Sequence, residues 1–137
     1  MVSTSAQIYD IKVGDIDLYG HVNHVAYFYY LEEATVKFLK AHDISIIPGN
    51  ITPVVANASC KYIHSIEYPA TILIDSVASK INPRKLLITH TIKSEDESIV
   101  YAIAEKTMIW VDFKLKDAVD LPIFVINNLQ LDILNRV

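Results

Sequence analysis

Glycine is scarce in this chain: Gly14, Gly20 and Gly49 are all it has. Three glycines so placed spell neither a GxGxxG dinucleotide fingerprint nor a P-loop, and no GxSxG elbow occurs either. Cys60 is the single cysteine, which excludes an intramolecular disulfide and a thiolate-rich metal site and fits a reducing compartment. Lysine and arginine number 12 against 16 acidic residues, for a net charge of −4, and they are scattered. Tight phosphate-backbone binding needs clustered cations, so nucleic acid is not an expected partner. No apolar run approaches the roughly 20 residues of a bilayer span, and the opening MVSTSAQIYD lacks the basic start and apolar stretch of a secretion signal. A cytoplasmic protein with no membrane partner is expected. What the chain does have is 52% hydrophobic residues over 137 positions, enough to bury about two thirds of its unfolded surface as one domain, residues 1–137.

The pattern along the chain is mostly β with one long helix. Residues 6–13, AQIYDIKV, carry β-formers and read as a first strand. Residues 25–42 contain no Gly or Pro, and Tyr27, Leu31, Ala34 and Phe38 recur at helical spacing. Asn23 suits the N-cap, Glu33 and Lys37 form an i,i+4 pair, and Lys40 and His42 favour the C-terminal end of the dipole. After the break at Pro48, Gly49 and Asn50, four strands fit at 53–64, 71–81, 85–94 and 98–113, joined by connections too short for parallel crossovers. The sheet is therefore largely antiparallel, its apolar face covered by the helix, an α+β arrangement. The end of the chain, from Pro122, suits a short closing helix or an extended tail.

Chemistry concentrates in residues 14–24, GDIDLYGHVNH, between the first strand and the helix. Asp15 and Asp17, two apart, point the same way if the segment is extended, and Gly20 permits a turn that folds the following residues back. With Asn23 as N-cap, its side chain accepts from the N–H of Val25 or Ala26, and the N–H of His24 stays unpaired at the positive end of a long helix. Such an N–H is an oxyanion donor, and a carboxylate a few residues upstream can attack or activate water against a carbonyl held there. That pairing suits acyl transfer. Two other readings stand beside it on these residues alone: a purely structural loop, since Asp, Asn and Gly turn and cap, and a metal site drawn from Asp15, Asp17, His21 and His24.

The string DIDLYGHVNHVAYFYYLEEA resembles the signature D-x-D-x-x-G-H-V-N-N-x-x-Y of the hotdog-fold acyl-CoA thioesterases of the 4-hydroxybenzoyl-CoA thioesterase family, which a helix rich in acidic residues follows. Weaker similarity continues through Tyr62, Tyr68-Pro69, Arg84-Lys85-Leu86, Trp110-Val111-Asp112 and Leu121-Pro122. The resemblance implies a hotdog fold, a curved antiparallel sheet of five to six strands wrapped around one long central helix, assembled as a homodimer or homotetramer. It implies hydrolysis of a fatty or aromatic acyl-CoA without metal or cofactor. Asp17 falls on the catalytic carboxylate, nucleophile or general base, and the His24 backbone N–H on the group that polarises the thioester carbonyl. His21 and Asn23 support the loop, and Tyr27 and Tyr62 are placed as substrate-binding residues, Tyr27 near the acyl pocket.

Two departures bear on that reading. His24 stands where the motif has a second Asn, which leaves the backbone donor in place while adding a titrating ring beside the site. The Ser common near the start of the fourth strand is absent, with Asn82-Pro83-Arg84-Lys85 in its place. Arg84 and Lys85 are candidate partners of coenzyme A phosphates, although basic residues flanking a strand are also ordinary edge charges. His90 and Cys60 are expected in the core. The run Tyr27, Phe28, Tyr29 and Tyr30 occupies a full helical turn, so part of it must face a partner or pocket. Alternatives are a carrier-protein thioesterase and a non-catalytic acyl-binding module on the same scaffold.

Overall fold

The computed structural model describes residues 4–45, 49 and 51–131. Within them the chain forms β1 (Thr4–Asp10), α1 (Ala26–Ala41), β2 (Ile51–Tyr62), β3 (Thr71–Asn82), β4 (Lys85–Ser94), β5 (Val100–Asp112), β6 (Asp117–Val119) and α2 (Ile123–Asn128). A single 3₁₀ turn, Val13–Asp15, follows β1. The sheet order is β1-β3-β4-β5-β2, with β6 also on β5, and every pairing is antiparallel. This is the hotdog fold, six strands curled about one helix.

Each element follows from its pattern. On β4, Leu86, Ile88, His90 and Ile92 are fully buried, and on β5 the inward positions are Ala102, Ala104, Lys106, Met108 and Trp110. Helix α1 answers with Ala26, Tyr27, Tyr30, Leu31, Ala34, Thr35, Phe38 and Leu39. Size is graded along this interface: Ala34, Ala102 and Ala104 admit the bulky tyrosines of the first helical turns, while Phe38, Leu39, Met108 and Trp110 fill the far half together with Val125 and Leu129 around α2.

Registers place the functional end. Asp10 pairs Thr71, Ile72 pairs Ser94, Lys93 pairs Val100 and Ala102 pairs Tyr62, so the loop after β1, the start of α1 and the end of β2 share one end of the sheet. The expected strands differ from these by a few residues at their ends. β1 stops at Asp10 because the 3₁₀ turn takes over, and β6, three residues long, carries no periodicity to read. The closing helix from Pro122 is present but short, ending at Asn128. The Pro48 and Asn50 break and residues 132–137 lie outside the described residues.

Candidate active site

The loop between β1 and α1 is laced by its own backbone. Ile16 bridges Val22, His21 bridges Glu67, and the N–H of Asp17 donates to the His21 carbonyl at 2.8 Å. Gly20 donates to the Asp17 carbonyl and sits at φ +78°, where a side chain would be strained. Oδ1 of Asp17 accepts from the N–H of Tyr19 at 2.8 Å and of His21 at 3.3 Å. Among the described residues Oδ2 has no partner, and Asp17 lines a cavity of about 270 Å³ with His21, Val22, His24, Tyr27 and Tyr62.

The two aspartates divide the work. Oδ2 of Asp15 accepts from the Tyr30 hydroxyl at 2.6 Å, the Lys12 N–H donates to that same hydroxyl, and the Asp15 carbonyl accepts from the Asn23 N–H at 2.8 Å. Burial, reinforced by the Asp15 hydrogen bond, pushes the Tyr30 phenol up to about 12. Asp15 is therefore a strut against the helix, outside the cavity, and the expectation that both acids share one orientation gives way to two separate sets of partners. The 3₁₀ turn that ends at Asp15 breaks the extended geometry on which it rested.

Helix α1 starts one residue later than expected, at Ala26. The N-cap position falls at Val25, which has no side-chain cap bond, and Asn23 instead closes the turn before it: Oδ1 accepts from the Val25 N–H at 2.9 Å, and its carbonyl accepts from the Ala26 N–H at 2.9 Å. The His24 N–H has no acceptor among the described residues. On β2, the Tyr62 hydroxyl donates to the His24 carbonyl at 2.8 Å, and its ring meets Tyr27 edge to face at 4.8 Å. Burial raises the Tyr27 phenol and the Cys60 thiol.

Asp17, His21, His24, Tyr27 and Tyr62 thus converge, with Asn23 fixing the helix end between them. His21 faces Glu67 at 3.7 Å from the rim. Arg84 and Lys85 are not brought to this cavity within the chain. They lie at the turn between β3 and β4, at the opposite end of strands that run about 35 Å, and Arg84 Nε donates to Asp120 at 3.2 Å. His64 and Ser65, just past β2, also line the cavity and were not anticipated; their only signal is proximity to Tyr62 in sequence. Among the described residues no group of three His, Cys, Asp or Glu is placed to hold a metal ion, so the metal reading of Asp15, Asp17, His21 and His24 lacks a donor set.

A second polar cluster sits inside the core, away from the cavity. Ser76 Oγ lies 2.7 Å from His90 Nδ1, His90 Nε2 lies 3.2 Å from Thr35 Oγ1, and Lys106 Nζ donates to Thr35 Oγ1 at 2.6 Å. Thr35 gives its own hydrogen to the Leu31 carbonyl, so both imidazole and ammonium must donate to it. Burial first, then the Lys106 charge, lowers His90 to about 4, which keeps the ring neutral at neutral pH and gives Ser76 the donor role toward Nδ1. Burial lowers Lys106 as well, against the pull of Glu32 at 3.7 Å. Lys106 escaped sequence reasoning, although its inward position in the β5 alternation was there to be read.

Comparison with known proteins agrees with this picture. The family model described as the thioesterase-like superfamily matches residues 11–129. The long-chain acyl-CoA thioesterase FadM of Escherichia coli is 30% identical over 108 residues, covering 77% of this chain and 82% of that protein. Among solved structures, the PA2801 protein from Pseudomonas aeruginosa superposes with a TM-score of 0.80 at 26% identity, over 88% of this chain and 93% of its own. The fold is shared with Slr0204, a 1,4-dihydroxy-2-naphthoyl-CoA thioesterase from Synechocystis, at a TM-score of 0.87 and 14% identity over 93% and 96% of the two chains.

Proposed function

The chain belongs to the thioesterase-like superfamily and is a thioester hydrolase, and from that premise we propose that it hydrolyses fatty acyl-CoA, with Asp17 as the carboxylate and the His24 backbone N–H as the oxyanion donor. One observation carries the assignment. Asp17, with one oxygen tied to its loop and the other without a partner among the described residues, shares a cavity with His24, whose N–H has no acceptor among them and lies at the positive end of α1.

In this reading Asp17 attacks the thioester carbonyl or takes a proton from the attacking water. Negative charge builds on the carbonyl oxygen and is met by the His24 N–H. The carbon–sulfur bond then breaks, coenzyme A leaves as a thiolate, and the free acid forms after water is incorporated. Val22, Tyr27 and Ile63 give the cavity an apolar side for the acyl group. The fatty class rests on the likeness to FadM.

A homodimer completes the proposal. The outer edge of β2 is unpaired among the described residues, and pairing it with a second copy about a two-fold axis would carry the Arg84-Lys85 turn of one subunit toward the Tyr62 end of β2 in the other. Coenzyme A phosphates would then meet those cations in trans.

The test is Asp17→Asn, assayed by thiol release on a panel of fatty and aromatic acyl-CoA substrates. The variant keeps an acceptor for Tyr19 and His21 and so should fold, while turnover should fall by about a hundredfold or more, some 3 kcal/mol of barrier. Undiminished turnover removes Asp17 from the chemistry, and a preference for aromatic acyl groups overturns the fatty assignment.

A further inference from the structure

Two peptide units at the start of α1 decide where the His24 N–H points, and they are restrained differently. The unit joining Asn23 to His24 has its carbonyl held by the Ala26 N–H at 2.9 Å, so its own N–H is directed out of the helix end. The unit joining His24 to Val25 is gripped at both ends: its N–H by Asn23 Oδ1 at 2.9 Å, its carbonyl by the Tyr62 hydroxyl at 2.8 Å. The first two of these contacts are local, within three residues. The Tyr62 bond spans 38 positions and is the one that ties this turn to the sheet.

Tyr62 is built for a fixed direction. Its ring is braced edge to face by Tyr27 at 4.8 Å and stands nearly perpendicular to the His24 ring at 6.4 Å. The His24 carbonyl lies just before the helix, and the Phe28 N–H that would reach it in a regular turn donates to Val25 instead, so the Tyr62 hydroxyl is its partner among the described residues. A donor from another element placed there restrains the peptide plane.

We propose that Tyr62 is a positioning residue for the hydrolysis: by donating to the His24 carbonyl from β2 it fixes the turn that aims the His24 N–H at the developing oxyanion. The inference rests on the reading of that N–H as the oxyanion donor. It also gives Tyr62 a role other than binding substrate.

The experiment is Tyr62→Phe, which keeps the ring and its contact with Tyr27 and removes only the donor. Steady-state kinetics on a fatty acyl-CoA are read beside the ¹H–¹⁵N amide signals and hydrogen exchange of His24 and Val25. The expected result is a kcat lowered about tenfold with KM within twofold, melting temperature unchanged, and faster exchange or shifted signals confined to those two amides. Unmoved amides with unmoved kcat overturn the positioning role and leave the oxyanion reading standing. Disturbed amides with unmoved kcat overturn both, because the turn has then loosened without catalytic consequence. A rise in KM alone makes Tyr62 a substrate-binding residue and overturns the proposal as well.

Discussion

Removing one backbone hydrogen separates the two things His24 offers, a side chain and an N–H. His24→Ala keeps the N–H, and His24→Pro deletes it at the edge of a helix, where proline's fixed φ and missing donor are tolerated. If the N–H stabilises the oxyanion, the alanine variant should stay within a few-fold of the parent while the proline variant loses about a hundredfold or more in kcat. Equal losses in the two, measured by thiol release, would assign the effect to the imidazole. The same turn shows what can be read from sequence. That Asn23 Oδ1 takes the Val25 N–H follows from capping chemistry alone, and the structure has that bond, although the helix's N-cap position falls two residues later, at Val25. Asp15 and Asp17 could not be told apart in that way. Their difference is made by Tyr30, fifteen residues on, whose hydroxyl reaches only the first of them.

At the scale of elements, the loop and the helix are one mechanical unit through Tyr30. Its hydroxyl donates to Asp15, accepts from the Lys12 N–H, and leaves a phenol so buried that it stays protonated to about pH 12. Tyr30→Phe strands a carboxylate and an N–H that are both part-buried, so it should cost about 2 kcal/mol in urea unfolding at neutral pH. A loss below a few tenths would mean that water replaces the hydroxyl without penalty and that the strut is incidental. The elements themselves were largely legible, because a helix that must cover a sheet repeats its apolar residues at 3.6 and a half-buried strand alternates at 2. Ends were not: the 3₁₀ turn shortens β1, and β6 exists only because the hairpin after Asp112 doubles back onto Trp110 and Val111. Arg84 and Lys85 mark another limit. Basic residues beside a turn look alike in sequence whether they face a phosphate or, as Arg84 does within this chain, an aspartate.

For the whole molecule, the buried Ser76–His90–Thr35–Lys106 chain couples folding to pH. His90 is wholly excluded from solvent and lies about 4 in the folded protein, below the 6.5 of a free imidazole, because burial and the nearby Lys106 ammonium both oppose its charging. Between those values the unfolded chain binds more protons than the folded one, so stability falls as pH drops. This contribution is complete above about pH 6.5, declines through the acid range and is spent below about pH 4, a total near 3 kcal/mol at 1.36 kcal/mol per unit. Asp96, held near 2 by Ser98 and Ser94, acts in the same direction in a lower window, so the two are separable on the pH axis. His90→Gln removes the titration while still offering a donor and an acceptor to Thr35 and Ser76. Urea unfolding measured from pH 7.5 to 4 should then show a shallower decline in ΔG, by up to about 3 kcal/mol, than the parent. Lys106→Met should narrow the window from below, because His90 loses the charge that opposes its protonation and its value in the folded state rises. An unaltered slope in His90→Gln would place the acid sensitivity elsewhere in the fold and reduce the core cluster to a packing solution.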